Sequence, residues 1–402
     1  MNPVGAGSRM SPWRFVTAFG TVSLLMDFVY EGARSITGPL LASLGASALV
    51  VGVVTGAGEA AALGLRLVSG PLADRTRHFW AWTISGYALT AATVPLLGVT
   101  GLLWLACALV IAERVGKAVR SPAKDTLLSH ATAAVGRGRG FAVHEALDQI
   151  GALLGPLTVA GILALTHDDY TPALGVLAIP GVAALALLVW LRGRVPDPIA
   201  YETGAANAPA TREPGRLPRA FWVYGGFTAT TMAGFATFGV LSFHLVERHL
   251  LATAAVPLVY AAAMAADALA ALATGWLYDK IGARTLIALP LLSAAVPLLA
   301  FTNTPGLTIL GAVLWGSAVG VQESTLRAVV ADLVPSTRRA TAYGIFAGIL
   351  GGATLAGGAL TGALYDYSIP TLIVTVTAIQ AGAIALLWLG NRSPARHHWT
   401  VP

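Results

Sequence analysis

Asp27 and Glu31 stand four residues apart inside an apolar run, and Arg34 follows three residues later, so one helix face would carry all three. Glu59 and Arg66 lie two turns apart in the next run. Glu113, Arg114 and Lys117 share a later one, and His144, Glu145 and Asp148 open another, with His144 and Asp148 on one face. The second half offers fewer such groups: His244, Asp267, and Glu323 with Arg327. An ionisable side chain in an apolar slab is costly and marks a solute, ion or proton path. Carboxylates there hold protons more tightly than in water, and a neighbouring guanidinium loosens them again. The chemistry on offer is therefore reversible proton binding. The bland alternative is that Arg34, Arg66, Arg114 and Arg327 only neutralise the acids in static pairs. Other chemistry is thin. Ser121-Pro-Ala-Lys124 has Ser-x-x-Lys spacing in what reads as a basic loop, with no partner motif. His144 and Asp148 are too few ligands for a metal. No phosphate-binding loop is present. Neither metal nor cofactor is expected, nor enzymatic activity, and His397-His398 reads as an exposed tail.

Holding these groups away from water requires long apolar helices. The chain of 402 residues is 56% hydrophobic and 11% charged, against roughly 25% charged in soluble domains. A spanning helix needs about 20 apolar residues. Runs of that length occupy 13–36, 48–72, 79–99, 101–119, 140–166 and 172–192, then 219–246, 253–277, 284–302, 306–332, 341–364 and 370–390. They lack the alternation of a membrane β-barrel. The expectation is an all-α membrane protein with twelve transmembrane helices in two six-helix, pseudo-symmetric bundles, 1–194 and 219–402. The polar stretch 195–218, rich in Pro, Ala and Gly, reads as the linker. A rise of about 1.5 Å per residue puts Glu59 and Glu113 near mid-membrane, Asp27 and Glu31 in the outer half, and His144 and Asp148 nearer the cytoplasm.

The net charge of +6 does not indicate a nucleic-acid partner, because the basic residues fall in short segments between apolar runs. Arg9 and Arg14, Arg75 and Arg77, Lys117 to Arg139, Arg192 to Arg219, Lys280 and Arg284, Arg338 and Arg339, and Arg392 and Arg396 mark alternate connections; Arg248 is the main exception. Both termini and the linker are thus expected in the cytoplasm, in a multi-pass protein of the inner (plasma) membrane. The first run carries Asp27, Glu31 and Arg34, which a signal-peptide core would not, so no cleavable signal peptide is expected. The single cysteine, Cys107, cannot form an intrachain disulfide.

The halves repeat. Gly70-Pro-Leu-Ala-Asp74-Arg75 follows the second run, and Gly275-Trp-Leu-Tyr-Asp279-Lys280 follows the eighth. Arg120 with Asp125 is echoed by Arg327 with Asp332, and Phe141-Ala142 by Tyr343-Gly344. Duplication with one in/out sense is a mark of parallel-repeat transporters. At the two Gly-x-x-x-Asp-cation segments the chain resembles the major facilitator superfamily, over about 13–390. The first copy departs from the family pattern in having Arg77 where a Gly is usual and His78 where a basic residue is usual. Gly151-x-x-x-Gly155-Pro156 in the fifth run is similar to part of a motif of the family's drug/proton antiporters, without the Gly-Gly that follows it there.

The resemblance implies that helices one, four, seven and ten line a central cavity, which directs Asp27, Glu31 and Glu113 at the substrate path. It implies a secondary transporter that works by alternating access. With the acids as proton carriers, the expected function is export of a small molecule by proton antiport; the alternative is proton symport of a small organic solute or anion. Asp74-Arg75 and Asp279-Lys280 would form a cytoplasmic latch, with Gly70 and Gly275 allowing close helix approach. The partners expected are a small molecule, protons and the bilayer, and the protein would be a monomer. A membrane sensor or membrane enzyme is the rival class, and no segment here is long enough for an added soluble domain.

Overall fold

A computed structural model describes residues 10–197, 201, 217–335 and 338–392. Fifteen α-helices follow one another in the described chain, and α1, Pro12–Ser43, sets the pattern. Pro12 occupies its first turn, where no backbone donor is lost, and Ser11 Oγ accepts the Arg14 N–H at 3.4 Å. The helix runs about two turns past the end expected from the apolar run. Asp27 therefore lies at its middle, not in its outer half. The second run divides at Leu65 into α2 (Ala48–Gly64) and α3 (Arg66–Thr76), followed by α4 (Phe79–Val99). Next, α5 (Leu103–Val135) extends through the stretch read as a basic loop. Ser121 and Lys124 are helical, and Ser121 Oγ donates to the Lys117 carbonyl at 2.7 Å.

The chain continues through α6 (Arg137–Leu165), α7 (Tyr170–Gly175) and α8 (Ala178–Arg194). The expected linker lies largely outside the described residues. Beyond it come α9 (Arg219–Ala233), α10 (Phe238–Glu247), α11 (Val256–Ile281), α12 (Ala288–Ala300), α13 (Pro305–Leu333), α14 (Arg339–Tyr367) and α15 (Ile369–Arg392). Among the described residues, nine helical stretches are long and apolar enough to cross a bilayer, and one of them, Thr253–Ala300, is 48 residues long and divides into α11 and α12. The helices α1 and α5 fall outside that set because their charged residues interrupt the apolar windows. Leu272 is 75% and Leu165 79% exposed, which a lipid solvent accommodates and water does not.

Gly282 closes α11 with φ +62°, and Arg77, one repeat earlier, closes α3 with φ +54°. The tight turn forms although its first copy lacks glycine. Heavy packing joins α1 to α6, α4 to α5, α11 to α13, and α2 to α14. The last pair brings the two halves of the chain together, as does α6 with α11. Between α2 and α14 the backbones touch: a Cβ on Gly52 would run into the Gly358 carbonyl.

Candidate functional site

The seventh run does not form one helix. Residues 234–237 are unwound between α9 and α10, and the freed backbone finds side-chain partners. Trp315 Nε1 donates to the Ala236 carbonyl at 2.8 Å, and Gln380 Nε2 donates to the Thr231 carbonyl at 2.9 Å. Irregular backbone is tolerated at membrane depth where it borders a cavity. Here Phe235, Ala236 and Thr237 border an open central cavity of about 150 Å³. Across it, α1, α2 and α5 present Glu31, Arg34, Glu59, Arg114 and Lys117, and α13 adds Gln322 and Glu323. One wall is charged, and the facing wall holds Phe235, Phe238 and Trp315.

The charged wall is a connected ladder. Arg34 reaches Glu31 at 3.7 Å and Glu59 at 3.0 Å. Arg114 reaches the same Glu59 oxygen at 3.4 Å and Glu113 at 3.3 Å. Glu59 thus bridges two guanidiniums, from α1 and α5. Tyr260 of α11 donates its hydroxyl to Glu31, tying the ladder to the second half of the chain. The ring of Tyr30 supports two cations, Arg114 and Lys117, each 4.2 Å from its centroid. No described carboxylate lies within ion-pair distance of Lys117. Three acids share two arginines, and the outer oxygen of Glu113, Oε1, accepts no hydrogen bond from a described residue.

His144 and Asp148 belong to a second cluster, with Lys124. His144 Nδ1 faces Asp148 at 3.4 Å, its Nε2 meets Ser23 Oγ at 2.8 Å, and Lys124 lies 3.9 Å from Asp148. The order Asp-His-Ser is that of a hydrolase triad, but Ser23 is 1% exposed and closed to a substrate. Asp27, half-buried on α1 between Ser23 and Glu31, forms no ion pair with a described residue. Asp267 is buried in α11, and its Oδ1 accepts no described hydrogen bond. His244 is fixed at both nitrogens, by Tyr365 at 2.8 Å and the Thr302 carbonyl at 2.9 Å, which gives it a structural place. The side chain of Arg327 lies outside the described residues.

The latch residues are not joined. Asp74, Arg75, Asp279 and Lys280 are exposed and form no ion pair with a described residue; Lys280 sits 3.6 Å from the Trp276 ring centroid. Close approach at Gly70 and Gly275 does not occur either. A Cβ at Gly70 would meet Pro122 only at 3.8 Å, and one at Gly275 would meet nothing within 4 Å. At the opposite end the helices are shut. A Cβ on Gly38 of α1 would strike the Gly239 carbonyl of α10, and Thr55 and Thr237 hydroxyls hydrogen-bond at 2.9 Å. The glycines of the fifth-run motif pack α6 on α1: Gly151 faces the Leu24 carbonyl and Gly155 the Phe28 carbonyl, with Pro156 continuing the helix.

Sequence spacing found the acids but missed Tyr260, Thr55, Thr237 and the aromatic wall, whose partners are distant in the chain. The unwound 234–237 had one local signal, Gly234 in an apolar run.

Comparison with known proteins fits this architecture. The profile of the Major Facilitator Superfamily matches residues 20–266 and 245–400. The chain is 67% identical over 381 residues to uncharacterized protein Rv2265 of Mycobacterium tuberculosis (strain ATCC 25618 / H37Rv), covering 94% of this chain and 93% of that one. It is 26% identical over 382 residues to the uncharacterized MFS-type transporter MJ1317 of Methanocaldococcus jannaschii, covering 92% and 94%. Among solved structures, a point mutant of the nucleoside transporter NupG superposes with a TM-score of 0.75 at 13% identity, over 93% of this chain and 99% of that one. With nearly its whole length matched, a helical fold shared with transporters and several helices fit to cross a membrane, the chain belongs to the major facilitator superfamily, as a multi-pass membrane transporter of a small molecule and not an enzyme.

Proposed function

We propose that the protein is a proton-coupled secondary transporter that exports a small molecule by antiport. Twelve spans in two six-helix bundles rock about the central cavity. The observation that carries this reading is the ladder Glu31–Arg34–Glu59–Arg114–Glu113, whose first four members line the cavity wall and whose Glu113 lies behind it. Three carboxylates share two guanidiniums, so a proton entering the cavity changes the charge seen by any solute there. Proton and solute then compete for one place, which is the requirement for exchange. The test is proton flux from liposomes holding the purified protein under an imposed pH gradient, read by a trapped pH dye as a panel of small organic cations and anions is added. Compound-dependent flux is expected; its absence for every compound, with transport of one of them demonstrated, assigns coupling to another ion.

Lys117 favours a second reading. It is a cavity cation with no described carboxylate in pairing range, and it suits an organic anion carried inward with a proton. Accumulation of an anion from the panel with the proton gradient, lost in Lys117→Met, selects symport.

Cytoplasmic termini in the inner (plasma) membrane complete the proposal, with a monomer as the working unit. A cysteine at Ala206, in a Cys107→Ala background, is expected to resist an impermeant thiol reagent in intact cells and to react in inverted vesicles. Labelling in intact cells reverses the topology.

The unpaired latch motif belongs to the state with its mouth open. Asp74→Asn and Asp279→Asn are each expected to slow transport several-fold with substrate affinity within twofold, since exposed charge contacts contribute about 0.2–1 kcal/mol. Affinity lost in parallel with rate places these residues at the substrate instead.

A further inference from the structure

Two aspartates that the proton-coupling chemistry does not use reach between the halves of the chain. Asp366, in the last turn of α14, accepts from the Ala48 N–H at 3.1 Å and the Leu49 N–H at 2.9 Å, the first donors of α2. Asp168, just beyond α6, accepts from the Ala254 N–H at 3.1 Å, in the turn that leads into α11. The 205-residue offset that relates Gly70 to Gly275 also relates Leu49 to Ala254. The donors therefore sit at repeat-equivalent places, while the two aspartates, 198 residues apart, do not; each nonetheless crosses from one half to a helix start of the other, on the two edges where α2 meets α14 and α6 meets α11.

Neither aspartate serves its own helix. A carboxylate in a helix's last turn opposes the helix dipole, so Asp366 is misplaced for α14 and well placed for α2. Asp169, the neighbour of Asp168, caps its own helix by accepting the Thr171 N–H at 2.8 Å. Asp168 instead turns away, on a backbone where His167 and Asp168 both have positive φ, +56° and +64°. Left-handed backbone at two successive non-glycine residues is costly and persists where the surroundings require it.

We infer that Asp168 and Asp366 are the outer gate: two carboxylate caps, one on each edge between the halves, that hold the face opposite Asp74 and Asp279 shut and release helices α2 and α11 when the halves rock. The inference rests on the alternating-access reading. The contacts suit reversible closure. They are carboxylate-to-amide bonds at the solvent-exposed rim, so water can replace each of them as the face opens. Beneath them lies the sealed layer of Gly38, Gly239 and Ser242.

The test uses the full chain with Cys107→Ala and Ser242→Cys, a buried position under the rim. The readouts are its rate of reaction with a hydrophilic maleimide and the distance between spin labels at Ser43→Cys and Ala252→Cys, made separately. Asp168→Ala with Asp366→Ala is expected to raise the labelling rate at least tenfold and to add a longer spin-label distance. Asn at both positions is expected to stay near the parent, because its amide oxygen also caps a helix. The single alanine variants, read the same way, serve if the pair does not fold. As a control, Gly52→Val wedges α2 from α14. A wedge that opens the rim while the alanine variants stay closed overturns the gate and leaves alternating access standing. A rim that opens in neither overturns both.

Discussion

Glu59→Gln is expected to lower pH-driven transport at least 30-fold while exchange of substrate down its own gradient persists. Glu59 is the hub of the ladder, 3.0 Å from Arg34 and 3.4 Å from Arg114. A glutamine keeps the shape and a hydrogen-bonding oxygen but cannot carry a proton, and it leaves two guanidiniums sharing less negative charge. Glu59 is a quarter exposed, so its removal is set at the low end of the about 2–5 kcal/mol that losing one partner of a buried charge pair costs, and 1.4 kcal/mol is about tenfold. The 30-fold figure is the lower end of that range. Glu31→Gln and Glu113→Gln, at the two ends of the ladder, each touch one arginine and are expected to lose less. Asp27→Asn, with no ion pair to break, serves as the comparison. Transport by the four variants in liposomes under an imposed pH gradient gives the ranking. If all four concentrate substrate like the parent, the ladder is static charge neutralisation and the coupling ion is not the proton.

The fold was legible where chemistry is local. Apolar length found the nine described stretches fit to cross a bilayer, and the repeated Gly-x-x-x-Asp-cation segments found the superfamily. What stayed hidden was set by partners far along the chain. Spacing offered Arg66 to Glu59, because both lie in one run. The structure gives it Arg34 and Arg114 from two other helices, since a mid-helix carboxylate facing a cavity meets whatever the opposite walls present. The length of α5 was hidden because Lys117, Arg120 and Lys124 resemble a cytoplasmic loop. They are tolerated in a helix because Tyr30, Tyr87 and Asp148 receive their charges. The role of Asp366 was invisible because nothing near it in sequence is the helix start it caps. The unwinding at 234–237 depends on Trp315 and Gln380, which lie on α13 and α15 and satisfy the exposed carbonyls.

Arg114→Met is expected to cause the largest loss of folded protein among substitutions at the cavity. Arg114 is 7% exposed, faces Glu59 and Glu113, and lies over Tyr30. Methionine replaces its length and apolar stem but leaves Glu113, itself 7% exposed, without its one described cation in ion-pair range. Stranding a buried charge costs about 3–5 kcal/mol, a large part of the roughly 5–15 kcal/mol by which proteins are stable. The expected result is a sharp fall in yield and melting temperature in detergent. The cause is separable from lost packing. If the penalty comes from the stranded carboxylate, Glu113→Gln added to Arg114→Met restores most of the stability, because a neutral amide needs no counter-ion. If it comes from packing or the Tyr30 contact, the second substitution restores nothing. A double-mutant cycle on melting temperature reads the difference, and a coupling near zero between positions 113 and 114 removes the ladder's structural half. A restored but inactive double variant then isolates its other half: the fold needs only that the charges balance, whereas proton coupling needs a carboxylate that can change its charge while the arginine beside it does not.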